Sequence, residues 1–236
     1  MQEDLIIDRQ KEKESNRDYA YYVMRKNIMV FRLPPGTPIN EGEWANLLDM
    51  SRTPVHEAVN SLKDEFLLDV IPQSGTRVSK INVQVVREGN ELRKLVETDL
   101  IQKCAGHISG EYLQKMKAIL DEQKKLSEQD EDYEKDLFLR LDDKFHRLLY
   151  EAAGKERTWR CVKGLCTHYD RVRYAETVLN HTQLSRFYEE HQAIYQMVMM
   201  GLPPNFDIES FYDVHLGYYR VHFAQVMEKF PDYFTI

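Results

Sequence analysis

Hydrophobic residues recur at helical spacing through the first sixty or so positions and predict three helices. Residues 16–31 place their apolar side chains on one face. The segment 33–36 ends this helix, because a helix does not continue through two prolines and a glycine. Residues 40–48 predict a second, short helix, and after a tight turn a third helix runs from residue 51 to about residue 66.

The third helix has an apolar side and a polar side. Ser51 and Thr53 are residues of the kind that accept the unpaired amide hydrogen bonds at a helix start, and Pro54 fits a first turn. The apolar side, spaced i, i+3, i+4, i+7, consists of Val55, Ala58, Val59 and Leu62. The opposite side, free to enter a DNA groove, consists of Arg52, His56, Asn60 and Lys63.

A β-hairpin is predicted after the three helices. Residues 68–71 and 76–79 are strand-like, and residues 72–75 join them with a glycine in the turn. Helix, helix, turn, helix and hairpin together predict a winged helix-turn-helix DNA-binding domain over residues 16–81. Residues 1–15 are expected to form a flexible N-terminal segment.

Beyond residue 82 the pattern becomes long and helical. Proline is absent until Pro203, and no alternating strand pattern occurs. The predicted helices cover residues 83–105, 109–127, 131–152, 156–178, 182–201 and 207–229. The acidic segment 128–134 is expected to be a solvated loop or a helix start. The sequence therefore predicts a mainly α protein, in which an all-α antiparallel bundle over residues 82–236 follows the winged domain.

Composition and charge set further limits. The 236 residues are 42% hydrophobic, enough for one large or two small domains with ample core. The sequence has no apolar run long enough to span a membrane and no secretion signal, and its three cysteines form no paired motif, so a reducing cytoplasm is expected. The net charge is −7, and residues 1–80 carry 11 basic against 13 acidic side chains. DNA binding would thus depend on a local basic cluster and two copies, with moderate, salt-sensitive affinity.

Several motifs together resemble the GntR family of bacterial transcription regulators with a FadR-type sensor domain, called FCD. The winged part carries L-P-P-G-T-P-I-N-E, S-R-T-P-V-H-E-A-V and I-P-Q-S-G-T-R-V. The helical part carries E-L-R-K-L-V-E at 91–97, L-D-D-K-F-H-R at 141–147 and E-E-H-Q-A-I at 189–194. The resemblance implies a homodimeric regulator, not an enzyme, that binds a double-stranded DNA operator and responds to a small organic acid effector.

The resemblance also implies which residues meet DNA. These are Ser51, Arg52, Thr53 and His56 from the third helix, with Gly75 and Arg77 from the hairpin. Arg52 and Thr53 would enter the major groove, and the hairpin would touch the backbone or the minor groove. His56 stands where the family usually has a DNA-contacting arginine; an imidazole is shorter and only partly charged near neutral pH, so the operator or the affinity is expected to differ. Residues 152–154 form an A-x-G turn, and Lys155 replaces the asparagine that usually follows this turn in the family, so the structure of the ligand pocket at this point is left open.

Four residues form a candidate metal site by the same resemblance. Asp142 and His146 are four positions apart and share one helix face, while His191 and His215 lie on later helices. Imidazole and carboxylate ligands suit zinc first, and also nickel, manganese or iron. Asp142 is preferred to Asp143 because only Asp142 lies four positions before His146. The residues alone leave two alternatives open: a helix-surface pair with two unrelated histidines, or a purely structural metal ion.

Three arginines are candidates for effector binding. Arg93 occupies the arginine position of the family's E-x-R-x-x-x-E helix and could clamp a carboxylate. Its alternative is a surface salt bridge with Glu97, four residues on. Arg171 and Arg173 are further candidates for the pocket wall, although a surface basic patch would explain them as well.

Two other functions compete with a regulator. A metal-dependent enzyme using the Asp/His site would explain the acidic charge but leaves the helix at 51–66 and the hairpin without a role. A helical interaction module with a degenerate DNA-binding head is motivated by the acidic head and by His56. The other four histidines match no pattern and are expected to be ordinary: His107, His168, His181 and His222.

Overall fold

The computed structural model describes residues 5–128, 132–179 and 184–235, without the side chains of 132–134 and 178–179. His181 and part of the acidic segment 128–134 lie outside the described residues. Contacts divide the chain into two compact units. The first consists of Met1–Val86, Thr167–Arg171 and Met227–Ile236, and the second of Arg87–Cys166 and Val172–Val226.

The first unit contains the three helices that the hydrophobic pattern predicts. They are α1 (Asn16–Met29), α2 (Glu41–Leu47) and α3 (Arg52–Asp64). Asn40 begins α2 by accepting the backbone N–H groups of Gly42 and Glu43 at 2.9 and 3.3 Å. Asp49, at φ +51°, turns the chain between α2 and α3. The apolar side of α3 is buried, with Val55, Ala58, Val59 and Leu62 at most 2% exposed, so this helix packs as predicted.

A small antiparallel sheet completes the winged part of the first unit. Strands β1 (Pro38–Ile39), β2 (Leu68–Ile71) and β3 (Gly75–Val78) lie in the order β1-β3-β2. Strand β1 was not predicted, because two residues are too few to show an alternating pattern. Gly75 has φ +87°, a conformation that glycine adopts without strain, and pairs with Ile71 at the end of the hairpin.

Residues near the N-terminus are attached to α1. The Asn27 side chain accepts the N–H of Ile6 at 2.8 Å and donates to its carbonyl at 2.9 Å. Tyr19 donates its hydroxyl to the carbonyl of Asp8 at 2.8 Å. Residues 6–8 are therefore anchored, a correction to the expectation that all of residues 1–15 are flexible; the local polar composition concealed these partners on α1.

Two segments distant in sequence also belong to the first unit. Strand β4 (Ile81–Asn82) pairs in parallel with β5 (Phe234–Thr235). The expectation of no strand beyond residue 82 is therefore wrong. Two-residue strands give no periodic signal, and this pairing joins segments about 150 residues apart, so only the folded chain reveals it.

Helices build the second unit. They are α4 (Val83–Cys104), α5 (Gly110–Glu128), α6 (Asp132–Ala152), α7 (Glu156–Leu165), α8 (Thr167–Tyr174), α9 (Leu184–Met200), α10 (Ile208–His215) and α11 (Tyr219–Lys229). The start of α4, the first residues of α8 and the end of α11 are assigned to the first unit. A π-helical turn, Ala175–Leu179, continues α8.

Two predicted helices are each divided in the structure. The predicted helix 156–178 breaks at Cys166 into α7 and α8, and 207–229 breaks after His215 into α10 and α11. At the second break a Cβ on Gly217 would overlap the carbonyl oxygen of Asp213, so the chain requires glycine there. Apolar spacing continues across both breaks, which is why the sequence pattern joined the pieces.

The interior of the second unit is mainly aliphatic and aromatic, from α4, α5, α6, α9 and α10. Fully buried members include Ile101, Met116, Phe145, Leu149, Ile194, Val198 and Tyr212. Several charged or polar side chains are equally buried among the same helices, and they form the site described below. Among the described residues, no helix is long and apolar enough to cross a membrane.

Candidate metal centre and nucleic-acid interface

Three buried imidazoles meet in the second unit. His146 comes from α6, His191 from α9 and His215 from α10. The Nε2 atom of His146 lies 3.2 Å from Nε2 of His191 and 3.2 Å from Nε2 of His215. The three side chains offer nitrogen atoms that all lie within 4.8 Å of one another. The fold thus brings together the three histidines that the sequence analysis proposed.

Each imidazole has an oxygen acceptor close to its other nitrogen, Nδ1. Nδ1 of His146 lies 2.8 Å from a carboxylate oxygen of Glu97, an ion-pair distance without hydrogen-bond geometry. Nδ1 of His191 lies 2.9 Å from the amide oxygen of Gln123, and Nδ1 of His215 lies 2.8 Å from a carboxylate oxygen of Glu190. When the proton is on Nδ1, next to such an acceptor, the Nε2 lone pair is free to bind a metal ion. Three lone pairs then converge on one point, the arrangement that a metal ion stabilises.

The spacing fits a metal ion. Two imidazole nitrogens bound to one metal ion at about 2.0–2.1 Å, with an angle of roughly 100°, lie about 3.2 Å apart. Both Nε2 separations in the structure, from His146 to His191 and from His146 to His215, are 3.2 Å. The residues present therefore fit a divalent metal ion, and the three imidazoles are the side chains that could hold it.

Asp142 lies beside the imidazoles, whereas Asp143 does not. One oxygen of Asp142 is 3.3 Å from Nε2 of His191, and its other oxygen accepts a hydrogen bond from Arg173 at 2.6 Å. Asp143 is paired with Lys163 at 2.9 Å, and its side chain is 38% exposed. Asp142 is thus the carboxylate in position to join the three histidines.

Burial favours the neutral, metal-binding form of His146 and His191. It lowers the pKa of His146 to about 3, against the opposing effect of the Glu97 carboxylate. Burial likewise lowers the pKa of His191, although Asp142 opposes this shift. Burial would raise the pKa of Asp142, but the Arg173 charge and the neighbouring histidines hold it well below its usual range. Neutral imidazoles and an ionised carboxylate are the required ligand states.

Arg93 lies in the same polar cluster. Its Nε donates to Glu97 at 2.6 Å, and one of its terminal nitrogens lies 3.9 Å from Asp142. The i,i+4 pair with Glu97 that the sequence analysis kept as an alternative therefore exists. The pair is not on the helix surface, because the side chains are 1% and 0% exposed. Arg93 and Arg173 both face Asp142.

Arg171 is placed elsewhere, which corrects its prediction as a pocket residue. Its guanidinium belongs to the first unit and donates to the hydroxyl and the carbonyl of Ser79 at 3.1 and 2.9 Å. Residues 171 and 173 are two positions apart on α8, about 200° around the helix, so their side chains leave it in nearly opposite directions.

His168 was expected to be ordinary, and the structure gives it a specific role. It is 3% exposed, accepts the N–H of Asn82 at Nδ1 (2.9 Å) and has its Nε2 2.8 Å from the carbonyl of Phe66. Beside it, the Thr167 hydroxyl donates to the carbonyl of Glu65 at 2.7 Å. These bonds satisfy the backbone after α3 and before α4, and no pattern in the sequence distinguishes His168.

The polar side of α3 is open to solvent. Arg52, Thr53, His56, Asn60 and Lys63 are all exposed. Ser51 stands at the N-cap position but makes no capping hydrogen bond, so its predicted capping role is wrong; the residue is exposed. His56 is engaged: its Nδ1 lies 3.0 Å from a carboxylate oxygen of Glu41 on α2. Gly75 and Arg77, on the hairpin, are exposed as well.

Comparison with known proteins identifies both parts. Residues 18–78 match the model for bacterial regulatory proteins of the gntR family, and residues 88–203 match the FCD domain. The HTH-type transcriptional repressor RspR of Escherichia coli strain K12 is 32% identical over 154 residues, which span 65% of this chain and 66% of that relative, just under two thirds of its length. The chain belongs to the GntR family.

Other GntR-family relatives extend the match along the chain. An HTH-type transcriptional regulator in an unstable DNA locus of Streptomyces ambofaciens is 28% identical over 190 residues, or 80% of this chain and 78% of the relative. Among solved structures, E. coli McbR/YncC covers 92% of this chain and 99% of its own, with a TM-score of 0.71 at 16% identity. A putative GntR regulator from Rhodococcus sp. RHA1 gives 0.68 at 17% identity, covering 91% and 99%. These two structures show the fold alone.

The matched families and relatives bear on the functions kept open by the sequence. The matches support a DNA-binding transcription regulator, and they confirm the predictions of a winged helix-turn-helix followed by a helical FCD domain. The family and the relatives are transcription regulators and not enzymes, which confirms the prediction against an enzyme. FCD domains bind small-molecule effectors and are known for metal binding. His215 lies beyond the matched FCD residues 88–203, and the structure brings it to the other two histidines.

Proposed function

We propose that this GntR-family chain controls transcription as a homodimer whose binding to operator DNA is governed by a small organic acid. The acid would bind in the FCD domain beside a divalent metal ion. The single observation that carries this proposal is the convergence of three buried Nε2 atoms, each on an imidazole whose Nδ1 faces an acceptor. As a regulator of genes, the protein would work in the cytoplasm.

We propose His146, His191 and His215 as metal ligands, with Asp142 as the fourth. Zinc is the first choice because three imidazoles and one carboxylate suit its four-coordinate sites; nickel, manganese and iron are the alternatives. When bound, the metal ion would supply a positive charge that attracts the carboxylate of an effector. A purely structural metal would stabilise the helices but would leave effector binding unchanged.

Charge around the site supports an acidic effector. Arg173 donates to Asp142 at 2.6 Å, and Arg93 approaches the same carboxylate at 3.9 Å. Both guanidinium groups are charged donors beside the proposed metal site, and arginine binds carboxylates through paired hydrogen bonds. We therefore propose Arg93 and Arg173 as effector-binding residues and leave out Arg171, which is hydrogen-bonded to Ser79.

For DNA binding we propose the exposed side of α3. Arg52 and Thr53 would read the major groove, with Ser51 and His56 beside them, and Gly75 and Arg77 would approach the backbone from the hairpin. Two copies would place two α3 helices on a pseudo-palindromic operator. Because the relative RspR is a repressor, we propose repression as the sign of control.

The experiment combines metal analysis with DNA binding by the purified full-length chain. Metal content by mass spectrometry should approach one ion per chain, and light scattering should give twice the 28.0 kDa chain mass. Gel shifts on the DNA upstream of the protein's own gene should show binding that small carboxylic acids change. If the protein bound no DNA fragment specifically at low salt, its proposed role as a regulator would be refuted. If no acid tested changed its DNA binding, the proposed class of effector would be refuted.

Substitution of arginine separates effector binding from folding. Arg173→Gln should weaken the calorimetrically measured binding of an active acid at least tenfold, because it removes a charged donor. Arg157→Ala, on the exposed surface of α7, is the control that removes an equal charge and should bind the acid as the wild type does. Equal loss in both variants would contradict a specific role for Arg173.

A further inference from the structure

One of the three acceptors that orient the imidazoles differs chemically from the other two. Glu97 and Glu190 are carboxylates, which when ionised can accept a hydrogen bond but cannot donate one. Gln123, on α5, is an amide and carries both an acceptor oxygen and a donor NH2 group. It is fully buried, with 0% exposure, and its oxygen lies 2.9 Å from Nδ1 of His191.

This difference allows His191 two neutral arrangements. In one, Nδ1–H donates to the amide oxygen of Gln123 and the Nε2 lone pair faces the other histidines. In the second, the amide is turned by 180°, its NH2 donates to Nδ1, and Nε2–H donates to Asp142, whose oxygen is 3.3 Å away. Only the first arrangement can bind a metal ion. A glutamate at position 123 would support the first alone, because it has no donor to offer Nδ1.

The surroundings of the amide permit this rotation. Among the residues that the structure describes, Nε2 of Gln123 has no hydrogen-bond partner, so turning the amide breaks no bond on that side. The other two ligands lack this freedom, since His146 faces Glu97 at 2.8 Å and His215 faces Glu190 at 2.8 Å. His191 is thus the imidazole that can change its tautomer without gaining a charge.

We propose that Gln123 is a positioning residue that makes the metal site exchangeable, by allowing His191 to donate to Asp142 when no metal is bound. This inference rests on the metal site of the proposed function. Although α5 carries none of the proposed ligands, it would help to set the affinity of the site for metal through Gln123. The wild-type site would therefore bind metal more weakly, and release it faster, than a site in which all three acceptors were carboxylates.

Zinc binding to the isoelectronic variant tests the proposal. Gln123→Glu should bind zinc about 10–100-fold more tightly in competition with a chromophoric chelator, and should release it more slowly to excess EDTA, because outer acceptors of ligand histidines change metal affinity by this factor. Glu190→Gln should bind more weakly by a similar factor. Gln114→Glu adds the same charge to an exposed position of α5 and should match the wild type.

The histidine tautomer provides a readout that does not depend on a variant's folding. In the metal-free wild type, nitrogen-15 NMR should show His191 with its proton on Nε2, and zinc should move that proton to Nδ1. His191 carrying its proton on Nδ1 in the metal-free wild type would overturn the proposal, as would a folded Gln123→Glu protein that binds zinc within twofold of the wild type. A wild type that binds no zinc would instead refute the metal site of the proposed function.

Discussion

The imidazole of His168 accepts the backbone N–H of Asn82 at 2.9 Å, across 86 positions of sequence. Its Nε2 faces the carbonyl of Phe66 at 2.8 Å, so the ring must carry its proton on Nε2 and remain neutral. His168 is only 3% exposed, and it satisfies two backbone groups that would otherwise be buried without partners.

This geometry predicts a pH-dependent stability. Burial, and then the nearby Arg171 charge, lower the pKa of His168 to about 4. A histidine in an unfolded chain has a pKa of about 6.5. The unfolded state therefore binds more protons between these values. The contribution of His168 is fully present above about pH 6.5 and is lost as the pH falls toward 4, at a cost of up to roughly 3 kcal/mol.

The check is urea unfolding of the wild type and His168→Gln between pH 7 and pH 4. Glutamine keeps one donor and one acceptor but does not titrate, so the variant should lose less stability across this range. The other buried histidines are present in both proteins and cancel in the difference. Parallel curves for the two proteins would contradict the neutral role assigned to His168.

Arg52 is expected to contribute directly to DNA recognition. Arg52→Ala should weaken operator binding by about 1–3 kcal/mol, because it removes a charged donor from the exposed side of α3. Fluorescence anisotropy with a labelled operator measures the change. Arg157→Ala serves as the matched control in the second unit, and similar losses in the two variants would show that only overall charge matters.

Replacing His56 with arginine should strengthen DNA binding. The imidazole is engaged by Glu41 at 3.0 Å, and arginine is longer and permanently charged, so it can reach a phosphate or a base edge. His56→Arg is expected to raise affinity severalfold and to steepen the dependence of log K on log salt by about one. An unaltered salt slope would mean that position 56 does not approach the phosphates. If the variant bound DNA and the wild type did not, the result would favour the alternative hypothesis that the DNA-binding head is degenerate.

Metal removal should destabilise the protein. A ligand that binds only the folded state adds about 2.7 kcal/mol when its free concentration is 100 times the dissociation constant. Adding zinc to the EDTA-treated wild type should therefore raise Tm by several degrees, whereas His215→Ala should show little rise. His107→Ala removes an exposed histidine and should respond to zinc like the wild type. A rise in Tm that His215→Ala retains would exclude His215 as a ligand.

Local sequence patterns predicted the winged part of the fold. The apolar spacing of Val55, Ala58, Val59 and Leu62 indicated which side of α3 is buried, because helical periodicity alone decides which side chains share a face. The glycine at position 75 located the hairpin turn. The same reasoning joined α7 to α8 and α10 to α11, since nothing in apolar spacing reports the close approach that requires glycine at position 217.

The sequence by itself determined the helical bundle, the winged helix-turn-helix and the family, since each depends on periodicity or on a contiguous motif. It also proposed Asp142, His146, His191 and His215. Only the tertiary structure decided which acceptors orient the imidazoles, that Asp143 turns outward, and that His168 and Arg171 support the backbone near Ser79. The reason is physical: hydrogen-bond partners drawn from distant helices leave no periodic trace, and two arginines two positions apart on α8 differ only by the direction in which the helix projects them.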